Sequence, residues 1–444
     1  MSSRPFKKKL SSFQIIIIGF LAVILLGTFL LMLPVSSKAR CWTSFEDAFF
    51  TATSAVCVTG LIVRDTAAYW SLFGQIVILI FIQIGGLGVI SVTAFIAVIS
   101  GRRISLFQRS MLQESISAHQ VGGIVRMIGF VFRTAFLIEL LGAGVMMPVF
   151  CKEYGSSGIW LAIFHSVSAF CNAGFDIMGT RSGAFTSLTS FSSSLGVVIP
   201  VSLLIIIGGI GFLTWEDIAE HKLRFKQYKM QSKVILSTSV ILILVPAVLF
   251  FFSDFAGYAL RERICLSLFQ AITPRTAGFN TADLNSMTGS GRAVTTALML
   301  IGGSPGSTAG GMKTTTVAVL FANAVSVIHR KKRSELFGRR IEDQAVQSAA
   351  TLLIMYIALA LTGACIISIA ENLPFAVCMF ETSSAIGTVG LSLGITPSLG
   401  LLSHLILAAL MFFGRVGGLT LMFAAINSNG VEVSQCPVEK ITVG

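Results

Sequence analysis

Long apolar runs alternate with short, hydroxyl-rich interruptions, and the same arrangement recurs four times along the chain. In the first copy an apolar run at 13–33 precedes a shorter segment at 45–56 and a second run at 72–99. About 20 apolar residues in a helix cross a bilayer core of roughly 30 Å. A segment of about 12 residues reaches only ~18 Å, so it enters the membrane without crossing it. Such a re-entrant element survives in lipid only when surrounded by protein or lining water, because its free backbone groups need partners. The second copy runs from 124 to 150, through a short helix at 159–170, to a span ending near Thr214. The third begins near Val234 with a short helix near 264–273, and the fourth covers 347–370, 375–386 and 401–425. The pattern predicts an all-α polytopic membrane protein. Its units of helix, re-entrant pore helix and helix would surround a pseudo-fourfold pore, with boundaries at 1–109, 110–222, 223–340 and 341–426 and a polar tail at 427–444.

The interruptions share a design. Each opens on an aromatic residue (Phe50, Phe164, Phe269, Phe380) and closes on a glycine followed by a bulky apolar residue. The closing triplets are Val58-Thr59-Gly60, Asn172-Ala173-Gly174, Thr276-Ala277-Gly278 and Thr388-Val389-Gly390; the third stretch is one residue shorter than the others. The second spans repeat as well, in Ile84-Gly85-Gly86-Leu87-Gly88, Ile207-Gly208-Gly209-Ile210-Gly211, Ile301-Gly302-Gly303-Ser304 and Gly414-Arg415-Val416-Gly417-Gly418. Close helix packing through small residues accounts for the first two of these. The third differs. Residues 291–328 would make a helix nearly twice as long as the membrane is thick, and they contain Gly302, Gly303, Ser304, Pro305, Gly306, Ser307, Thr308, Ala309, Gly310, Gly311, Met312 and Lys313. Glycines and a proline at that density break the span at membrane depth, which requires a water-filled neighbour.

Composition agrees with the pattern. Hydrophobic residues make up 54% and charged residues 12%, with a mean hydropathy of +0.85, against about 25% charged in soluble domains. The net charge of +12 would suit nucleic acid, but its distribution does not. Basic residues cluster at Arg4/Lys7/Lys8/Lys9, Arg102/Arg103/Arg109, Lys222–Lys233 and Arg330–Arg340. All four clusters fall on one side if each unit enters and leaves from that side, as cytoplasmic loops do. Both termini are then expected in the cytoplasm, with acidic lipid as the attracted surface. Eight cysteines are scattered without metal spacing; a disulfide is open only to Cys41 and Cys151, if both lie outside.

The chemistry follows from the loops. A permeating cation must exchange its water for other oxygens, and successive backbone carbonyls supply them when the chain takes a partly left-handed path. Glycine permits that path, which accounts for Gly60, Gly174, Gly278 and Gly390. The short helices, entering from outside, would aim their negative C-terminal ends at the axis. No acidic residue stands in any of the four triplets. Arg415 lies inside the last span, where a charge needs a cavity or a partner, and the carbonyls of the glycine-rich loop are its expected contact. Lys313 either joins that contact or reaches the inner surface. Glu139 needs a partner on a neighbouring helix, His165 and Glu381 are expected to make hydrogen bonds behind the filter, and Arg275 is expected behind its loop. The run Gly306–Lys313 imitates a phosphate loop but has one residue too many and no preceding strand. An intramembrane enzyme built on His165 and Asp176 lacks a second histidine at ligand spacing.

In combination these loops, the broken third-unit span and the arginine of the last span resemble the Trk/Ktr/HKT superfamily of potassium transporters, nearest the KtrB-type membrane subunits of bacterial Ktr uptake systems. The resemblance covers residues 13–425. It implies four units around one pore in each subunit, a homodimer, and a bacterial cytoplasmic (inner) membrane location. It also implies a cytosolic nucleotide-binding ring of KtrA or KtrC type, so that nucleotide acts only through the partner subunit. It assigns K+ to the filter triplets, with no covalent cofactor and with Na+ a candidate regulator. Serine at the first filter glycine goes with Na+ preference in plant members, so Gly60 favours K+. The gate carries over to 302–311 with Lys313 and Arg415. The competing expectation is a K+/Na+ or K+/H+ coupled symporter, for which Glu139, Asp176 and Glu381 are the available side chains.

Overall fold

The computed structural model describes residues 11–101, 104–115, 122–222, 224–331, 333–418 and 420–421. The basic residues at 4–9, Arg102, Arg103, Lys332 and the tail at 427–444 lie outside them.

The first unit consists of α1 (Ser12–Met32), α2 (Phe45–Val56), the short α3 (Thr66–Tyr69), α4 (Leu72–Leu87) and α5 (Val89–Ile99). A linking helix, α6 (Leu106–Ser115), leads to α7 (Ile124–Tyr154), α8 (Ser157–Phe170), the short α9 (Gly179–Ser182), α10 (Leu195–Gly209) and α11 (Phe212–His221). The third unit contains α12 (Met230–Phe252), α13 (Leu260–Ile272), α14 (Gly289–Leu300) and α15 (Thr314–Ile328). A two-stranded hairpin, β1 (Glu335–Leu336) against β2 (Arg339–Arg340), precedes α16 (Asp343–Glu371), α17 (Phe375–Ile386) and α18 (Leu401–Val416). That hairpin lies in a basic linker read from the sequence only as polar surface.

Local chemistry sets many of the starts. Ser11 and Gln14 form a reciprocal capping box on α1. Ser44, Ser71 and Thr288 cap α2, α4 and α14 through their hydroxyls, each satisfying an orphan N–H of the first turn. α1, α7, α12 and α16 are each long and apolar enough to cross a membrane. They keep large apolar side chains outward, among them Phe29, Phe136, Phe252 and Ile369, as a lipid-facing surface does.

In every unit the first long helix packs on the short helix that follows: α1 on α2, α7 on α8, α12 on α13 and α16 on α17. The outgoing helix then packs against the short helix of the next unit. α4 meets α8, α10 meets α13, α14 meets α17, and α18 meets α2, which closes the circle. At the heart of this arrangement Phe50, Phe164, Phe269 and Phe380 are all at most 1% exposed.

The second spans correct the sequence reading. The run expected as one helix over 72–99 bends by 95° between α4 and α5, and α10 and α11 meet at 98°. The breaks fall on Gly88 (φ 88°) and Gly211 (φ 91°), and α18 stops before Gly417 (φ 93°). Left-handed backbone is open to glycine at no steric cost and opposed by a Cβ. Small-residue packing explains other glycines of the same motifs. A Cβ on Gly85, Gly208 or Gly414 would run into the last carbonyl oxygen of its own unit's short helix, on Val56, Phe170 and Ile386 respectively. Cys41 and Cys151 are both free thiols.

Candidate functional site

The four short helices end in the same way. A turn residue in right-handed conformation follows α2, α8 and α17, and the first member of each closing triplet then takes positive φ: Val58 57°, Asn172 58°, Thr276 69° and Thr388 51°. The third member does so again: Gly60 90°, Gly174 67°, Gly278 77° and Gly390 94°. A β-branched residue at positive φ is an outlier that its surroundings must enforce, and three of the four first positions carry one. The enforcement comes from the short helix. Thr59, Ala173 and Val389 N–H each donate to a carbonyl five residues back, on Ser54, Ser168 and Ser384, at 2.8 Å, and Ala277 N–H donates to Thr273 at 2.9 Å. In the shorter third stretch one residue fewer is thus absorbed at the helix end, and the loop keeps its form.

The loops meet in chain order. A Cβ added to Gly60 would strike the carbonyl oxygen of Ala173, one on Gly174 that of Ala277, one on Gly278 that of Val389, and one on Gly390 that of Thr59. Each added Cβ would also stand 3.0 to 3.2 Å from a neighbouring glycine Cα. The four triplets therefore form one closed ring, with the middle carbonyl of each unit against the glycine of the unit before it. Only glycine fits there. At the inner edge of the ring the Asn172 amide and the Thr276 hydroxyl are 3.2 Å apart, while the Thr388 hydroxyl, fully buried, has no hydrogen-bond partner.

Below the ring lies the broken third-unit span. Gly302 N–H donates to Met312 C=O at 2.7 Å and Thr314 N–H to Gly303 C=O at 3.0 Å, which tie the two ends of the loop together. The second and fourth units hold the loop, and Arg415 links it on to the first. Ser304 N–H donates to Gly209 C=O at 2.9 Å, Phe212 N–H to Gly306 C=O at 2.7 Å, and the Thr308 hydroxyl to Phe170 C=O at 3.0 Å. Gly311 N–H donates to Gly414 C=O at 3.1 Å. Arg415 donates to the Thr308 carbonyl and to the carbonyls of Gly85 and Gly86, the last at 2.9 Å. Lys313 turns back onto the loop, with Nζ 2.8 Å from Ala309 C=O. A Cβ on Gly310 would collide with the Thr388 side chain, so the loop sits directly under the ring. Pro305, Ser307 and Ala309 complete it. A cavity of about 270 Å³ lies beside it, lined by Gly306, Ser307, Gly311, Lys313 and Arg415 from the loop region and by Tyr356 and Glu114.

The remaining single residues find structural partners. Glu139 accepts from the Gln83 amide at 2.9 and 3.2 Å, and Gln83 in turn accepts from the Cys171 thiol at 3.2 Å. His165 Nδ1 lies 2.8 Å from Leu161 C=O. Glu381 accepts from Ser392, Leu393 N–H and Thr396 at 2.6 to 3.0 Å. Arg275 is 8% exposed and donates to Ser239 on α12 at 3.1 Å, away from the ring. The Thr308 carbonyl belongs to the loop expected to meet Arg415, whereas the sequence did not point to Gln83, Gly85 and Gly86 as partners. Their signal was only a glutamine in an apolar helix and a glycine pair that packing already explained.

The chain matches the family model TrkH, described as cation transport protein, over residues 6–431. It is 39% identical to the potassium/sodium uptake protein NtpJ of Enterococcus hirae, covering 99% of this chain and 98% of that one. It is 36% identical to the Ktr system potassium uptake protein B of Bacillus subtilis, over 93% and 92% of the two chains. The crystal structure of the potassium transporter TrkH from Vibrio parahaemolyticus shares the fold with a TM-score of 0.76 at 17% identity, over 96% of this chain and 87% of that one. By the extent of the family match and the identity to these relatives, the chain belongs to the TrkH/Ktr family of cation transport proteins.

Proposed function

We propose that the chain is the potassium-translocating, channel-like pore subunit of a bacterial Ktr-type uptake system. The observation that carries this reading is the closed ring of four triplets, each left-handed at its first and third residues and each presenting its middle carbonyl to the glycine of the unit before it. Rings of backbone carbonyls replace the hydration shell of a monovalent cation, and the terminal carbonyls of the four short helices add negative potential there. Potassium as the ion follows from the names of the relatives and from glycine at position 60. Ions move down the electrochemical gradient, to which the membrane potential contributes about 2.3 kcal/mol per charge per 100 mV. The loop at 302–311 is the gate, held shut by Arg415 and Lys313. The basic linkers face the cytoplasm, as do both termini. A second copy completes a homodimer, and a cytosolic nucleotide-binding ring of KtrA or KtrC type docks on the inner face.

Reversal potentials in proteoliposomes test the transport mode. A potential that follows the K+ gradient alone is the expected result; a shift with pH or with Na+ at fixed K+ would mean coupling and would end the uniport reading. The Na+ arm carries particular weight, because the relative from Enterococcus hirae is named for both ions. Uptake in a strain lacking K+ transporters, with and without a candidate regulatory ring, tests the partner.

A further inference from the structure

One hydroxyl residue in each short helix reaches the outer half of the ring, and the four do not do the same thing. Ser54, Ser168 and Ser384 stand six residues before their filter glycines and Thr273 five before its own, and all four are fully buried. The Ser54 hydroxyl accepts from Gly60 N–H at 3.0 Å, and Ser384 accepts from Gly390 N–H at 3.0 Å. The Ser168 hydroxyl instead donates to Phe175 C=O at 2.7 Å, and Thr273 donates to Phe279 C=O at 2.7 Å.

In a planar trans peptide the N–H and the C=O point in opposite directions. A glycine N–H held outward by Ser54 or Ser384 therefore turns the carbonyl of the preceding residue, Thr59 or Val389, toward the axis. These carbonyls abut the glycine of the unit before, as those of Ala173 and Ala277 do in the other two units. In the other two units the hydroxyl takes a carbonyl two residues farther out, on Phe175 or Phe279, and turns it away from the axis. The kinds are grouped, since the first and fourth units adjoin through α18 and α2 and the second and third through α10 and α13. The outer mouth is thus divided into two unlike halves.

We propose that Ser54, Ser168, Thr273 and Ser384 are the positioning residues of the filter and that they split its work. Ser54 and Ser384 aim carbonyls at the ion and set discrimination between K+ and Na+. Ser168 and Thr273 withdraw the Phe175 and Phe279 carbonyls, which leaves the outermost ion site under-coordinated and weak, so that an entering ion moves on. The proposal rests on the reading of the ring as a filter.

The test uses the full chain in proteoliposomes, with K+ and Na+ as the probes. Ser54→Ala and Ser384→Ala are expected to lower the K+/Na+ permeability ratio by roughly tenfold, the scale of one lost buried hydrogen bond, with little change in the apparent KM for K+. Ser54→Thr, which keeps the hydroxyl, restores the ratio and shows that the loss is not misfolding. Ser168→Ala and Thr273→Val are expected to do the reverse, tightening the apparent KM by roughly threefold to tenfold while the ratio stays. Thr273→Ser returns KM to its original value. An unchanged ratio in Ser54→Ala, or the same change from all four substitutions, overturns the division. Gly60→Ser in the same membranes separates the two levels. If it collapses the ratio while Ser54→Ala does not, only the positioning proposal fails; if both leave it intact, the filter reading fails with it.

Discussion

The guanidinium of Arg415 lies 2.9 Å from the carbonyl oxygen of Gly86, 329 residues earlier in the chain. The same side chain also binds Gly85 and Thr308, so one group on the fourth unit joins the end of α4 to the loop of the third. Hydrogen bonds from a charged donor each contribute about 1.5–3 kcal/mol. Arg415→Gln is therefore expected to raise unregulated K+ flux by about tenfold or more. Arg415→Lys should recover only part of the control, because an ammonium cannot fork to three carbonyls. Radiotracer uptake without the proposed regulatory partner measures both.

Removing the obstruction altogether should go further. Deletion of residues 303–310 takes away the contacts to Gly208, Gly209 and Phe170 together with the segment beneath Thr388. High flux that no longer responds to the proposed regulatory ring is the expected outcome. Flux equal to wild type would show that the loop does not gate.

At Gly60 the added side chain has nowhere to go. The position has φ 90° and its Cβ would meet the Ala173 carbonyl, so Gly60→Ser must displace a carbonyl of the ring. The K+/Na+ permeability ratio should fall by about tenfold or more, read from bi-ionic reversal potentials.

Gln83 satisfies a carboxyl buried in the membrane. Gln83→Leu leaves Glu139 without its amide donor, at a penalty of about 1–3 kcal/mol for the unpartnered group, and should lower the thermal midpoint in detergent. The double change Gln83→Leu with Glu139→Leu should recover most of the loss, since replacing both members of a buried polar pair is close to neutral.

Asp176, in the connection beyond the second filter loop, titrates at about 6 rather than 3.8. Burial raises it, the Met178 N–H opposes that, the charge of Asp65 raises it further, and Ser187 opposes. The folded state thus favours the protonated form. The stability this group contributes is fully present below pH 3.8 and fades as pH rises through about 6. Asp176→Asn should raise the thermal midpoint at pH 7 and leave it unchanged at pH 4; an equal change at both values would contradict the assignment.

Much of this architecture was legible because its signals are local. A buried aromatic, a hydroxyl-rich turn and a glycine recur at fixed spacing, and the short helices at Phe45–Val56 and Phe375–Ile386 coincide with their expected bounds. The bends at Gly88 and Gly211 were not legible. A glycine pair that lets helices approach and a glycine that turns the chain are written with the same letter, and only the positive φ of the latter separates them. The partner of Glu139 was hidden for another reason: Gln83 lies 56 residues away on a different helix, and periodicity carries no information about which faces meet.

On the proposal that the loop at 302–311 gates the pore, the bends at Gly88 and Gly211 also bear on where a pull on the chain is felt. In the first two units a sharp corner, 95° at Gly88 and 98° at Gly211, separates the two halves of the second span. The third unit has α15 instead, which starts at Thr314, the residue whose N–H is fastened to Gly303 and whose hydroxyl is 3.1 Å from Ser304. On that proposal, a protein that pulls on the far end of α15 acts on the loop directly, through Thr314.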